Sequence, residues 1–108
     1  MENTWKPVEE SWLLENIDNS EWLLDCAEKN LWNLIKITPK KWQQHPWGDE
    51  GQGFYAVGVL GNQVIYYNDI EDGYNLSKFK EYGIIDEYWC NQNELHHVVN
   101  YLLKQITG

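Results

Sequence analysis

Leu95, Val98, Val99, Leu102 and Ile106 recur at i, i+3, i+4, i+7 and i+11 near the C-terminal end of the chain. Those offsets place five apolar side chains on one stripe of a helix with 3.6 residues per turn, and Asn91 followed by Glu94 supplies a capping signal ahead of it. Between Gly53 and Asn68 the period changes. Two apolar runs, Phe54 to Leu60 and Val64 to Tyr67, flank Gly61-Asn62-Gln63, and Gly and Asn provide the positive φ that a tight turn requires, so the pattern predicts a β-hairpin. With Gly61 and Asn62 as the loop, Leu60 pairs with Gln63, Val59 with Val64, Val57 with Tyr66 and Ala56 with Tyr67. Tyr55, Val57, Val59, Val64 and Tyr66 then share one face, and Phe54, Ala56, Gly58, Ile65 and Tyr67 the other. Both are apolar, so each is covered or one is a binding surface. The C-terminal helix is expected on one of them, where Ala56 and Gly58 permit close approach.

The rest of the pattern is less regular. Pro7 suits a first helical turn, which predicts a short helix from Val8 to about Asn16. Asp18 with Glu21 has the form of a capping box and predicts a second helix over 20–30. Leu31 to Ile37 is either the tail of that helix or a strand ending before Thr38-Pro39, and the alternation from Gly83 to Cys90 predicts a third strand. These elements define a single α+β domain over 1–108: a small antiparallel sheet built around a central β-hairpin, packed by a C-terminal amphipathic helix and by N-terminal helices. A hydrophobic content of 43% supports a packed core.

Charge changes the picture of what such a domain meets. Eight lysines and no arginine face seventeen acidic residues, for a net charge of −9. That balance disfavours nucleic acid, whose phosphates call for clustered cations. Eight of the carboxylates (Glu2, Glu9, Glu10, Glu15, Asp18, Glu21, Asp25 and Glu28) precede Lys29 against Lys6 alone, whereas Lys29, Lys36, Lys40 and Lys41 form an acid-free stretch. An N-terminus without a basic region or apolar run, and no apolar stretch of roughly 20 residues, lead us to expect a cytoplasmic protein without a membrane span. In that compartment Cys26 and Cys90 are expected to be buried, reduced thiols.

Trp12, Trp22, Trp32 and Trp42 fall ten residues apart, and Trp12-Leu13-Leu14-Glu15 is echoed by Trp22-Leu23-Leu24-Asp25. Ten residues turn a helix by about 1000°, so the four indoles cannot form one stripe, and the echo is read as coincidence. The candidate binding residues lie in two polar tracts. His45 to Gly53 holds three glycines, a proline and Trp47, and reads as a loop with an indole near its tip. Asn68 to Asn75 concentrates Asp69, Glu71 and Asp72 beside Tyr74. An EF-hand is excluded there: aligned on Gly73, Ile70 falls at the third ligand position and Phe79 at the twelfth. His96 and His97 point about 100° apart on a helix, and no zinc, nucleophile or phosphate-loop motif accompanies them. No cofactor or catalytic residue is expected.

The expected function is therefore a non-enzymatic protein–protein binding or inhibitory module whose acidic, aromatic surface meets a basic protein partner. The alternative is a carbohydrate or small-ligand module using Trp47, Tyr66 or Tyr67 as a platform. In size, acidity and mixture of helix and sheet the chain resembles the small immunity proteins of bacterial toxin systems, a likeness of general type that rests on no motif.

Overall fold

The computed structural model describes residues 7–45 and 53–107. Helix α1 spans Glu10–Glu21, and Ser20 and Glu21 accept from the amides of Leu23 and Leu24 in the turn that ends it. Helix α2, Cys26–Ile35, opens on a capping box, but not the expected one: the Asp25 carboxylate accepts from the Glu28 amide at 2.8 Å and Glu28 accepts from the Asp25 amide at 3.0 Å. Asp18 and Glu21 have the same spacing but lie inside α1, where their amides already have helical partners. The first helix thus runs beyond Asn16, and the second starts later than position 20. Leu31 to Ile35 is helix tail, and the chain then turns into strand β1, Lys36–Trp42.

Strands β2 (Phe54–Leu60), β3 (Gln63–Asn68) and β4 (Gly73–Lys78) complete a four-stranded antiparallel sheet in the order β1-β2-β3-β4. The β2–β3 hairpin turns at Gly61 and Asn62, and Leu60 pairs with Gln63 and Val59 with Val64 as expected. Beyond them a bulge shifts the register by one, so Gly58 pairs with Ile65, Ala56 with Tyr66 and Tyr55 with Tyr67. The bulge puts Val57 and Gly58 on the same face, because an extra residue reverses the alternation of side chains. That face carries the helices. A Cβ at Gly58 would lie 2.9 Å from the Trp32 ring, so it is α2, and not the C-terminal helix, that makes the close approach there. Leu13, Ile17, Trp32, Ile65, Tyr67 and Leu102 join in one core.

Helix α3, Leu95–Thr107, packs against α2, α1 and β4 on this same side, with Leu95, Val98, Val99 and Leu102 buried. It begins after Glu94, whose carbonyl accepts from the amides of His97 and Val98; Asn91 lies further back, its carbonyl held by the Asn75 side chain.

The opposite face is covered by residues 79–91, with Ile85 sunk among Trp42, Phe54, Val64 and Tyr66. This strap replaces the third strand expected over 83–90. It crosses the sheet face instead of joining an edge, so its backbone groups bond to side chains: the Glu87 amide donates to Ser77 Oγ at 2.9 Å, the Trp89 amide donates to the Tyr66 hydroxyl at 2.8 Å, and Asn68 Nδ2 donates to the Trp89 carbonyl at 2.9 Å. Backbone bonding remains where Gln43, just past β1, forms a parallel bridge with Ile84, and where the Asp86 amide donates to the Lys78 carbonyl at 3.4 Å. Among the described residues, no helix is long and apolar enough to cross a membrane.

Candidate functional site

The tract from Asp69 to Tyr74 comprises the connection between β3 and β4, residues 69–72, and the first two residues of β4. Asn68 Oδ1 shapes it by accepting from the amides of Ile70 (3.0 Å) and Glu71 (3.2 Å), the local side-chain bonding that makes Asn a turn residue. Strand β4 begins inside what the sequence presents as a polar loop. Asp69 is buried and accepts from the Val8 amide at 2.9 Å. Lys41 faces Asp69 electrostatically, although burial dominates and holds the lysine below its ordinary range. The Glu71 carbonyl accepts from Gln92 Nε2 at 3.1 Å. Asp72 sits in the left-handed region at φ 60°, exposed, and accepts a hydrogen bond from the Tyr67 hydroxyl. Burial, then the charges of Asp72 and Asp69, push the Tyr67 phenol up to about 12.

Tyr74 is 2% exposed, and its hydroxyl donates to Asn16 Oδ1 at 2.7 Å. Burial raises this phenol too, with Tyr67 adding to the shift. Asp72 and Tyr74 are thus brought to one cleft of about 140 Å³, which also includes Asn16, Tyr67 and Glu94; Asp69 and Glu71 do not line it. The cleft is small, and its two phenol hydroxyls are committed within the fold, Tyr74 to Asn16 of α1 and Tyr67 to Asp72. Trp47 lies outside the described residues. Among those described, no three His, Cys, Asp or Glu side chains gather to hold a metal ion.

Tyr66 and Tyr67, expected as platforms, are 0% and 5% exposed and belong to the core, so neither can stack a sugar ring. Cys26 and Cys90 are free but exposed, not buried: Cys26 occupies the first turn of α2 and Cys90 the end of the strap. The exposed large apolar side chains lie elsewhere. Trp12, Leu14, Trp22 and Leu23 all project from α1 and the turn after it, and Trp22 is 81% exposed. The same stretch exposes Glu9, Glu10, Glu15, Asp18 and Asp25 and contains no lysine. Sequence alone shows that excess of acid; it does not distinguish Trp22 from Trp32, ten residues on and 1% exposed.

Three larger surface grooves flank this architecture, the first, about 510 Å³, between the β2–β3 turn and the strap at Asn62, Lys80 and Asp86. The second, about 450 Å³, lies between β4 and α3 and is walled by Trp89, Tyr101 and His97. The third, about 420 Å³, lies between α1 and β1. Comparison of the chain with known protein families, with curated proteins and with solved structures finds no match.

Proposed function

We propose that this chain is a cytoplasmic, non-enzymatic binding or inhibitory module that engages a basic protein through the acidic, aromatic surface of α1 and the turn that follows it. The observation that carries the reading is the coexistence, on residues 9–25, of exposed carboxylates without a lysine and exposed Trp12, Leu14, Trp22 and Leu23. Carboxylates of one sign speed encounter with a cation-rich surface and set its orientation, while indoles supply desolvated contact area. Trp22, 81% exposed, is surplus to the core, whereas Trp12 also packs on Tyr67 with ring centroids 5.5 Å apart. A buried tyrosine pair, and the bonds of Asp69 to the Val8 amide and of Asp72 to the Tyr67 hydroxyl, leave the 69–74 tract a supporting role.

Immobilised protein exposed to host extract tests the reading. The expected partner is basic, released by moderate salt as screening sets in, and lost with Trp22→Ala. A retained partner that is acidic, or quenching of tryptophan emission by neutral oligosaccharides with no response to salt, would overturn it.

A further inference from the structure

We propose that the groove between α1 and β1 receives a segment of the basic partner bearing two lysine or arginine side chains about 12 Å apart, a site within the surface proposed above and resting on that reading. Glu10, Leu14, Asp18 and Glu21 follow one another at spacings of four, four and three residues, which aligns them along one side of α1. They face Ile37, Thr38 and Pro39 of β1, an edge strand. Trp32 and Ile17 close the floor, both buried. The groove therefore has an apolar bed and an acidic wall.

The charge in it is unbalanced. Among the described residues, Lys36 is its one cationic lining residue, and its ammonium already sits 3.5 Å from Glu21, which also accepts from the Trp32 indole N–H at 2.7 Å. Glu10 and Asp18 remain exposed, and no hydrogen bond or ion pair joins either side chain to another described residue. Eight residues separate them, about 12 Å along a helix at about 1.5 Å per residue. Lysine and arginine fit both requirements at once, because their aliphatic stems cover apolar surface while their heads reach carboxylates. The strand edge argues against pairing by backbone: register slips between Lys36 and Lys40, and Pro39 has no N–H to offer. Recognition through side chains is what remains. In an extended chain, charges about 12 Å apart lie four residues apart at about 3.3 Å each.

The test uses the full chain, labelled with ¹⁵N, and a capped peptide Lys-Ser-Gly-Ser-Lys at about 10 mM salt, where screening reaches only beyond about 30 Å. The expected result is saturable shifts confined to residues 10–21 and 36–39 and the Trp32 indole N–H. Glu10→Lys with Asp18→Lys should weaken binding about tenfold, as should the milder Glu10→Gln with Asp18→Asn to a smaller extent, while Glu81→Lys with Asp86→Lys, an equal change of net charge on the strap, leaves it within about twofold. Shifts that map to the 69–74 tract or to the β4–α3 groove overturn this site and leave the basic-partner reading standing. No saturable shifts with this peptide, together with no salt-sensitive partner in the capture experiment, overturn both.

Discussion

Helix α1 and the tract from Asp69 to Tyr74 are both rich in carboxylates, yet the two stretches use them differently. In the tract, Asp69 takes the Val8 amide, Asp72 takes the Tyr67 hydroxyl, and the Glu71 carbonyl holds Gln92, so its polar groups tie the β3–β4 turn to the N-terminal segment and to the residues before α3. In α1, Glu15 and Asp18 point outward without a partner among the described residues. Acid density along a sequence is therefore a poor guide to a recognition surface. What separates display from construction is where the fold brings a donor: the turn lies against the Val8 amide and the Tyr67 hydroxyl, whereas no described residue brings a donor to Glu15 or Asp18.

The comparison breaks most sharply at Gly73. A Cβ there would be driven onto the Asn91 carbonyl oxygen and to 2.5 Å from the Gln92 Cα, and neither backbone group can give way because Asn75 and Tyr74 hold that segment. Gly73→Ala should cost about 3 kcal/mol, read as a lowered urea midpoint; a loss under about 1 kcal/mol would mean that the tract is not fixed against the strap. Alkali sharpens the same contrast. Below pH 10 the phenols are protonated whether the chain is folded or not; above it the unfolded chain ionises first, while folded Tyr67 keeps its proton to about 12 and Tyr74 and Tyr66 are raised by burial as well. Stability should hold up to about pH 10 and fall steadily as the pH rises to about 12, a fall that Tyr67→Phe reduces. Asp69→Ala, which strands the Val8 amide, should cost about 1–3 kcal/mol by the same urea assay.

The parts of this molecule legible in its sequence are those where one periodicity runs unbroken. The Leu95 to Ile106 stripe and the turn at Gly61 and Asn62 specify a helix and a hairpin without help from the rest of the chain. The bulge near Val57 is invisible, because one extra residue in a run of apolar side chains leaves the run apolar while reversing which face each residue takes. Strand β4 is hidden for the opposite reason. Asn75 and Ser77 look like turn residues, but their polarity answers the backbone of a strap that lies across them, and only the tertiary fold brings that strap there. The strap in turn alternates like a strand because Ile85 must reach a core while Asp86 faces water. Of the candidate surface, the surplus of acid before Lys29 could be counted directly; the exposure of Trp22 could not, since an indole fills a core or a surface with equal ease.

The smallest expected effect on stability is the most informative about function. Glu15 and Asp18 are three residues apart on α1 and repel each other across one turn. Glu15→Lys replaces that repulsion by attraction, so the folded state should gain about 0.2–0.5 kcal/mol. If α1 were merely a solvated face, the gain would come at no cost. If it is a docking surface, the same substitution places a like charge before a basic partner and should weaken capture several-fold at low salt, less at high salt. Measuring both in one variant separates the roles: a stability gain with unchanged capture would reduce α1 to the rank of ordinary surface, whereas a gain paired with a salt-sensitive loss would show that its charge is kept for recognition at the expense of stability.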